Sequence, residues 1–298
     1  MNKNPQSAEH RSYVLITAAY NEERFIEETI KSVIAQAVLP AVWVIVSDGS
    51  TDRTDEIVQR HATTYPFIRL IRRERDQSRE FASKVFALNV GVSSLPPHQI
   101  DFLGVLDADV SLDPNYFSEL LKRFDADPVL GLASGWVTEK VGGEYRACGG
   151  NNSRSVPGAI QMFRFECYRD IGGLLAIEYG GEDWYAEIMA RKSGWRVQSF
   201  PDLHVRHLRV TGSKAGRLRY CYREGITDFA IGSHPLFELA KICKRISSPP
   251  YLLGALARLA GFAVAHVSVE RMVAPEVVHF LRTQELSRLW WMFSSLRR

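Results

Sequence analysis

From Tyr13 to Trp136 the chain alternates short runs rich in β-branched and aromatic residues with amphipathic stretches. The runs are YVLITA, VWVIVS, IRLI, FLGVL and VLGLASGW. This alternation predicts βαβ units and a mostly parallel sheet flanked by helices, a Rossmann-like α/β fold. Between the first two runs, Phe25, Ile26, Ile30, Val33, Ile34 and Ala37 recur at helical spacing. They predict a helix from Glu22 to Ala37 resting on the sheet, with Asn21 as its N-cap. The second run ends in SDGSTDRTDEI, a strand, turn and helix junction. Its glycine allows a tight turn and Ser50 or Thr51 can cap, while Asp52, Asp55 and Glu56 suit the positive end of a helix.

In open α/β sheets, ligands bind beyond the carboxyl ends of the strands. Tyr20, Asn21 and Glu22, then Asp48 and Gly49, then Asp107 and Asp109 all follow predicted strands. Carboxylates gathered at one sheet edge repel each other, so a cation is expected among them. Two residues apart on an extended segment, Asp107 and Asp109 point to one side and can serve one hard divalent ion. A lone DxD is a common turn; the other acidic strand ends give this one its weight.

Composition sets outer limits. At 298 residues, with 46% hydrophobic and 24% charged residues, the chain has the make-up of a globular protein with a sizeable core. A net charge of +3 and the lack of interleaved aromatic and basic residues in the first two hundred positions argue against a nucleic-acid partner. Cys148, Cys167, Cys221 and Cys243 form no CxxC pair, and the polar start MNKNPQSAEHRS lacks a signal-peptide core, so a cytoplasmic location is expected.

After Thr211 the character changes. Lys214, Arg217, Arg219 and Arg223 precede KICKRISSPP and the apolar YLLGALARLAGFAVAHV. That apolar run is short for a bilayer span and is interrupted by Arg258 and His266. It predicts a helix lying at the inner face of the cell membrane, or packed against the preceding α/β domain or a second subunit in a homodimer. The tail, with Leu286, Leu289, Trp290, Trp291 and Phe293 before Arg297 and Arg298, suits a lipid or protein interface equally. The expected division is an α/β domain over 1–212 and a helical basic and apolar extension over 213–298.

Taken in order, TAAYNEERFIEETIKSVIAQ, VIVSDGSTDRTDEI, SKVFALNVGV, VLDADVSLDP and GGEDWYAEIMARKSGWRV resemble the family 2 glycosyltransferases, which have a GT-A fold. The resemblance covers about residues 13–210. It implies inverting transfer of a sugar from a nucleotide-sugar donor, by default a UDP-sugar, to a hydroxyl of a saccharide or lipid-linked acceptor, with Mn²⁺ or Mg²⁺ on the diphosphate. Carried onto this chain, Ala19 and Glu22 line the nucleotide pocket and Asp48 meets the base. Lys84 matches the lysine of the family's GKxxALN stretch, although Ser83 replaces the glycine. Asp107 faces the donor sugar or ribose, Asp109 and His207 the metal, and Asp183 is the general base. Arg164 is a candidate for the acceptor or an acidic neighbour, His204 for the metal or diphosphate, and Trp184 and Trp195 for stacking on a sugar. The rival readings are a sugar nucleotidyltransferase, which would want a glycine-rich phosphate loop absent from TAAYNEE, and a non-catalytic sugar-nucleotide-binding module.

Overall fold

The computed structural model of the protein describes residues 12–75, 82–96, 100–141, 143–148, 151–209 and 216–295. Its first elements are β1 (Tyr13–Ala19), α1 (Ile26–Ile34), β2 (Val42–Asp48), α2 (Thr54–Thr64), β3 (Ile68–Arg73), α3 (Ala82–Ser93) and β4 (Phe102–Leu106). Next come β5 (Val110–Leu112), α4 (Tyr116–Ala126), β6 (Leu130–Val141), β7 (Glu144–Ala147), β8 (Ile160–Arg164), α5 (Phe165–Asp170), α6 (Glu182–Lys192) and β9 (Arg196–His207). Four helices follow: α7 (Arg217–Ile231), α8 (Pro235–Arg245), α9 (Tyr251–Ser268) and α10 (Pro275–Ser295).

All five apolar runs are strands of one sheet, ordered β3-β2-β1-β4-β8-β6-β9-β5, with β7 beside β6. β1 lies parallel to β2 and β4, and β2 to β3, so the carboxyl ends of these strands share one edge. β8 runs antiparallel to β4 and therefore starts at that same edge. β9 runs parallel to β6 and antiparallel to β5, pairing His207 with Val110. Strand alternation divides the core: Tyr13 and Leu15 pack with Trp43, Phe102, Phe117 and Phe124 on one face. Val14 and Ile16 pack with Val85, Leu88, Leu103 and Ala186 on the other. Burying each large side chain stabilises the sheet by ~1.5–3 kcal/mol, and both faces are covered, as parallel strands require.

The helix expected over Glu22 to Ala37 is shorter, and Asn21 is not its cap. Phe25 occupies the N-cap of α1. Asn21 has φ +54° and its Oδ1 accepts from the Thr51 amide at 2.8 Å, so the residue clips the β1 and β2 turns together. Neither Ser50 nor Thr51 caps α2; Asp52 Oδ1 accepts from Thr54 N at 3.0 Å at the start of that helix. The Arg164 guanidinium donates to the carbonyls of Phe124, Leu130 and Asp127 and lies over the Phe102 and Phe124 rings. The last carbonyls of α4 lack helical partners, and a planar five-donor group satisfies them.

The carboxy-terminal helices pack on the catalytic sheet through α6. Ile188 of α6 meets Ile231 of α7 and Val277, Val278 and Leu281 of α10. α7 and α9 approach to backbone contact: a Cβ on Gly225 would lie 2.1 Å from Arg258 O, and one on Gly261 1.9 Å from Tyr222 O. Between them Arg258 is buried, with Nε 2.6 Å from Glu238 Oε1, Nη1 3.2 Å from Glu224 Oε2, and Nη2 bonded to Asp228. Lys241 joins the same network at 2.8 Å from Asp228. Arg258→Met strands three carboxylates beside the single ammonium. The substitution is expected to lower stability by about 3–5 kcal/mol, read as a fall in the urea midpoint.

Candidate active site

Segments distant in sequence meet beyond the carboxyl end of β4. Asp107 follows β4, and its amide donates to Ala159 O at 2.9 Å, which pins the stretch before β8 against it. Lys84, in the first turn of α3, places Nζ 2.8 Å from Asp107 Oδ1 and 3.8 Å from Glu182 Oε1. Glu182 and Asp183 open α6 after Gly180 and Gly181, whose φ values of +82° and +91° only glycine adopts without strain. Asp183 Oδ1 accepts from Trp184 N at 2.8 Å. Its other oxygen faces Gly158, where a Cβ would come within 2.5 Å, so the space for this carboxylate exists because residue 158 has no side chain.

These walls enclose a cavity of about 420 Å³, lined also by Asn151, His207 and Tyr220. Its charges are unequal. Burial works against the Lys84 ammonium, yet Asp107 and Glu182 hold its pKa above the ordinary value. Burial raises Asp107 despite Lys84. Burial, then the neighbouring Glu182, pushes Asp183 up to about 7, while Lys84 limits the rise. Both carboxylates therefore hold a proton more firmly than an ordinary aspartate, because burial penalises their charged forms.

Asp109 lies in the turn between β4 and β5. Its Oδ1 is 3.4 Å from His207 Nε2, and Oδ2 is 3.4 Å from Arg209 Nη1. Burial opposes ionisation of Asp109, but the His207 hydrogen bond and charge bring its pKa down. His207 is raised in return: burial opposes its charge and Asp109 outweighs that. Arg209 also binds Glu22, in the turn after β1, and lies 4.9 Å over the Phe25 ring. One carboxylate oxygen and one imidazole nitrogen form a donor pair suited to Mn²⁺. Among the described residues no group of three His, Cys, Asp or Glu side chains is placed to hold a metal. The pair fits a cation that completes its shell with phosphate oxygens and water, as such ions commonly do beside one or two protein carboxylates.

Asp48, at the end of β2, is not part of the cavity wall. It is buried beneath Arg73 and Arg75, with Oδ2 2.7 Å from Arg75 Nη1 and 2.6 Å from Ser83 Oγ. Arg75 in turn stacks on Tyr20, 3.9 Å from the ring centroid. Ser83, the departure from the family's glycine, therefore ties Asp48 to the turn of helix that carries Lys84. Ala19 is buried at the end of β1, paired with Ser47.

His207 is brought to the site, whereas His204 stands exposed on β9 opposite Trp136. Trp195 donates to Asp170, and Trp184 lies under Lys241, both away from the cavity wall. Lys214 lies outside the described residues. Reading the chain missed Arg209, Gly158 and Tyr220. Arg209 had a signal, two positions past His207 on an extended segment; the other two depend on tertiary approach and had none.

The glycosyl transferase family 2 model matches residues 14–148. Among curated relatives, poly-beta-1,6-N-acetyl-D-glucosamine synthase of Staphylococcus aureus strain COL is 29% identical over 137 residues, 45% of this chain and 31% of its own. The uncharacterized glycosyltransferase YkcC of Bacillus subtilis strain 168 is 30% identical over 118 residues, 39% of this chain and 34% of its own. The chain thus spans about a third of the length of these relatives. Mannosyltransferase PcManGT from Pyrobaculum calidifontis, solved with GDP-Man and Mn²⁺, superposes with TM-score 0.55 at 21% identity, over 97% of this chain and 84% of its own. TarS 1–349 of S. aureus with UDP-GlcNAc gives 0.53 at 15%, over 91% and 78%. Matched segment and shared architecture agree: residues 14–148 are similar to glycosyl transferase family 2, and the chain has a GT-A fold.

Proposed function

We propose that the protein transfers a sugar, with inversion, from a nucleotide-diphosphate sugar to an acceptor hydroxyl. The observation that carries this is the position of Asp183, a half-buried carboxylate lining one cavity with the Lys84–Asp107 pair and His207, where burial and Glu182 push its pKa up to about 7. The donor is taken to be a UDP-sugar, supported by the UDP-GlcNAc bound to TarS; PcManGT with GDP-Man keeps the class at nucleotide sugars. The poly-beta-1,6-N-acetyl-D-glucosamine synthase relatives support a saccharide or lipid-linked acceptor and a role in exopolysaccharide or lipid-linked glycan synthesis.

In this reading Ala19, Glu22 and Asp48 bound the nucleotide, with Arg75 and Tyr20 as a stacked cover over Asp48. Lys84 and Asp107 face the diphosphate and sugar. Asp183 takes the acceptor hydroxyl's proton as that oxygen bonds to the anomeric carbon, and the bond from this carbon to the diphosphate oxygen breaks with its electron pair. Lys84 is the nearby cation that offsets charge on the departing diphosphate. Asp109 and His207 would hold Mn²⁺ or Mg²⁺, which supplies Lewis-acid stabilisation of that leaving group.

The extension is assigned to the cytoplasmic face of the cell membrane. α9 is apolar on both sides: it buries Gly254, Ala255, Gly261, Phe262 and Ala265 around Arg258 and exposes Leu252, Leu253, Leu256, Leu259, Val264 and Val267. At 100° per residue the exposed set spans one arc, with Arg258 on the opposite side. A helix whose exposed side met water would be polar there. By length and composition alone α9 could also cross a bilayer, but its charged side is committed to Glu238, Asp228 and Glu224, which favours lying on the surface. Exposed Arg217, Arg219 and Lys244 supply attraction to anionic headgroups.

Asp183→Asn is expected to lose ~10²–10⁴ in turnover while nucleotide-sugar binding persists in a thermal-shift assay. Wild-type kcat/KM should rise with pH through about 7, because the base acts when ionised. Undiminished turnover by the Asn variant removes Asp183 from the mechanism. Sedimentation with phosphatidylserine vesicles should retain the wild type and retain Leu253→Glu/Leu256→Glu at least ~10-fold less, each buried leucine being worth roughly 1 kcal/mol or more. Wild-type protein left in the supernatant overturns the membrane assignment and leaves the transfer reading standing.

A further inference from the structure

A second cavity, of about 690 Å³, lies behind the loop that walls the first. Asn151, Asn152 and Ser155 line the catalytic cavity, whereas Ser153 and Arg154, between them in the chain, line this groove. One side of it is α10 and the other is the corner where α6 gives way to β9. Four arginines line it: Arg154, Arg191, Arg196 and Arg288.

Two of these charges are matched within the protein. Arg191 lies 2.5 Å from Glu187, and Arg196 pairs with Asp127. Among the described residues neither Arg154 nor Arg288 forms an ion pair within 4 Å, although the charges of Glu187 and Glu285 act on Arg288 from farther away. Burial, then the neighbouring Arg191 charge, brings the pKa of Arg288 below its ordinary value. Four arginines around one concavity make it electropositive, and Glu187 and Asp127 offset only part of that charge. Alongside stands half-buried Trp195, with the amide side chains Gln198 and Gln284. An indole flanked by amides and guanidinium groups is the surface a polar, ring-shaped ligand with a negative group requires.

We propose that this groove binds the phosphate or carboxylate of an anionic saccharide, with Arg154 and Arg288 as its charge partners. The saccharide part rests on the sugar-transfer reading; the anion part does not. The two cavities are mechanically joined. Buried Glu187, one turn beyond Asp183, accepts from Ser155 Oγ at 2.8 Å and Val156 N at 2.7 Å while it holds Arg191. An anion drawing on Arg191 therefore pulls on the carboxylate that fixes the loop between the cavities, as an acidic acceptor chain running past the catalytic cavity would.

The test is isothermal titration of the full chain at low salt with a heparin-derived sulfated tetrasaccharide and, separately, with inorganic pyrophosphate. Arg154→Ala/Arg288→Ala is expected to weaken tetrasaccharide binding at least ~10-fold, the scale of losing charge-assisted hydrogen bonds. Ser287→Trp, which fills the groove from α10 and keeps every charge, should weaken it similarly. It provides an independent reading should the double variant misfold. A parallel loss of pyrophosphate binding assigns the groove to a bare anion, and loss confined to the tetrasaccharide assigns it to a saccharide-borne one. Unchanged tetrasaccharide affinity in the folded variants, or none in the wild type, overturns the proposal. Donor hydrolysis by the same variants is expected at the wild-type rate, so failure here and failure of the transfer reading give different results.

Discussion

Lys84 is the cation on which the acidic edge of the sheet depends. Its ammonium stands between Asp107 and Glu182, with the charge of Asp183 close behind. Without it, carboxylates from the end of β4 and the start of α6 would face each other in a half-enclosed space, each protonating or forcing the wall apart. With it, α3, β4 and α6, separated by many residues in the chain, are held to one geometry. The same charge sets the chemistry. Burial and Glu182 drive Asp183 upward, Lys84 restrains it, and the result lies where a carboxylate can still ionise yet bind a proton firmly.

Arg209 has the same effect at the neighbouring acidic pair, spanning Glu22 and Asp109. Together the two cations offset the charges of Glu22, Asp107, Asp109 and Glu182. Asp48 is matched separately by Arg73 and Arg75. A diphosphate and a divalent cation entering together would rearrange this pattern, because Arg209 and the metal pair share Asp109.

Much of this was legible in the chain. Apolar runs bounded by turn residues located every strand of the parallel half, since burial on two faces leaves few alternatives to β-branched residues. The acidic strand ends followed from topology. The reach of α1 did not, because the polar residues from Asn21 to Glu23 serve the β1–β2 turn contacts instead of extending the helix. The carbonyl contacts of Arg164 were not legible either, because an arginine looks the same in sequence whether it caps a helix by its carbonyls or meets a ligand. Gly158 was invisible: its role is an empty volume beside Asp183. Tyr220 and the Gly181 contacts with Thr227 and Ile231 show that α7 helps to shape the site, so the change of character after Thr211 marks a change in surface chemistry more than an edge of the catalytic cavity.

The buried charge balance at Asp183 can be read by ¹³C-carboxyl NMR titration of this residue in the wild type and in Lys84→Met. A pKa near 7 in the wild type, moving higher when the ammonium is removed, is the expected result. An ordinary carboxylate value close to 4, or one indifferent to Lys84, would mean that Asp183 is solvated and uncoupled from the cluster. The cavity would then have no base of the kind described.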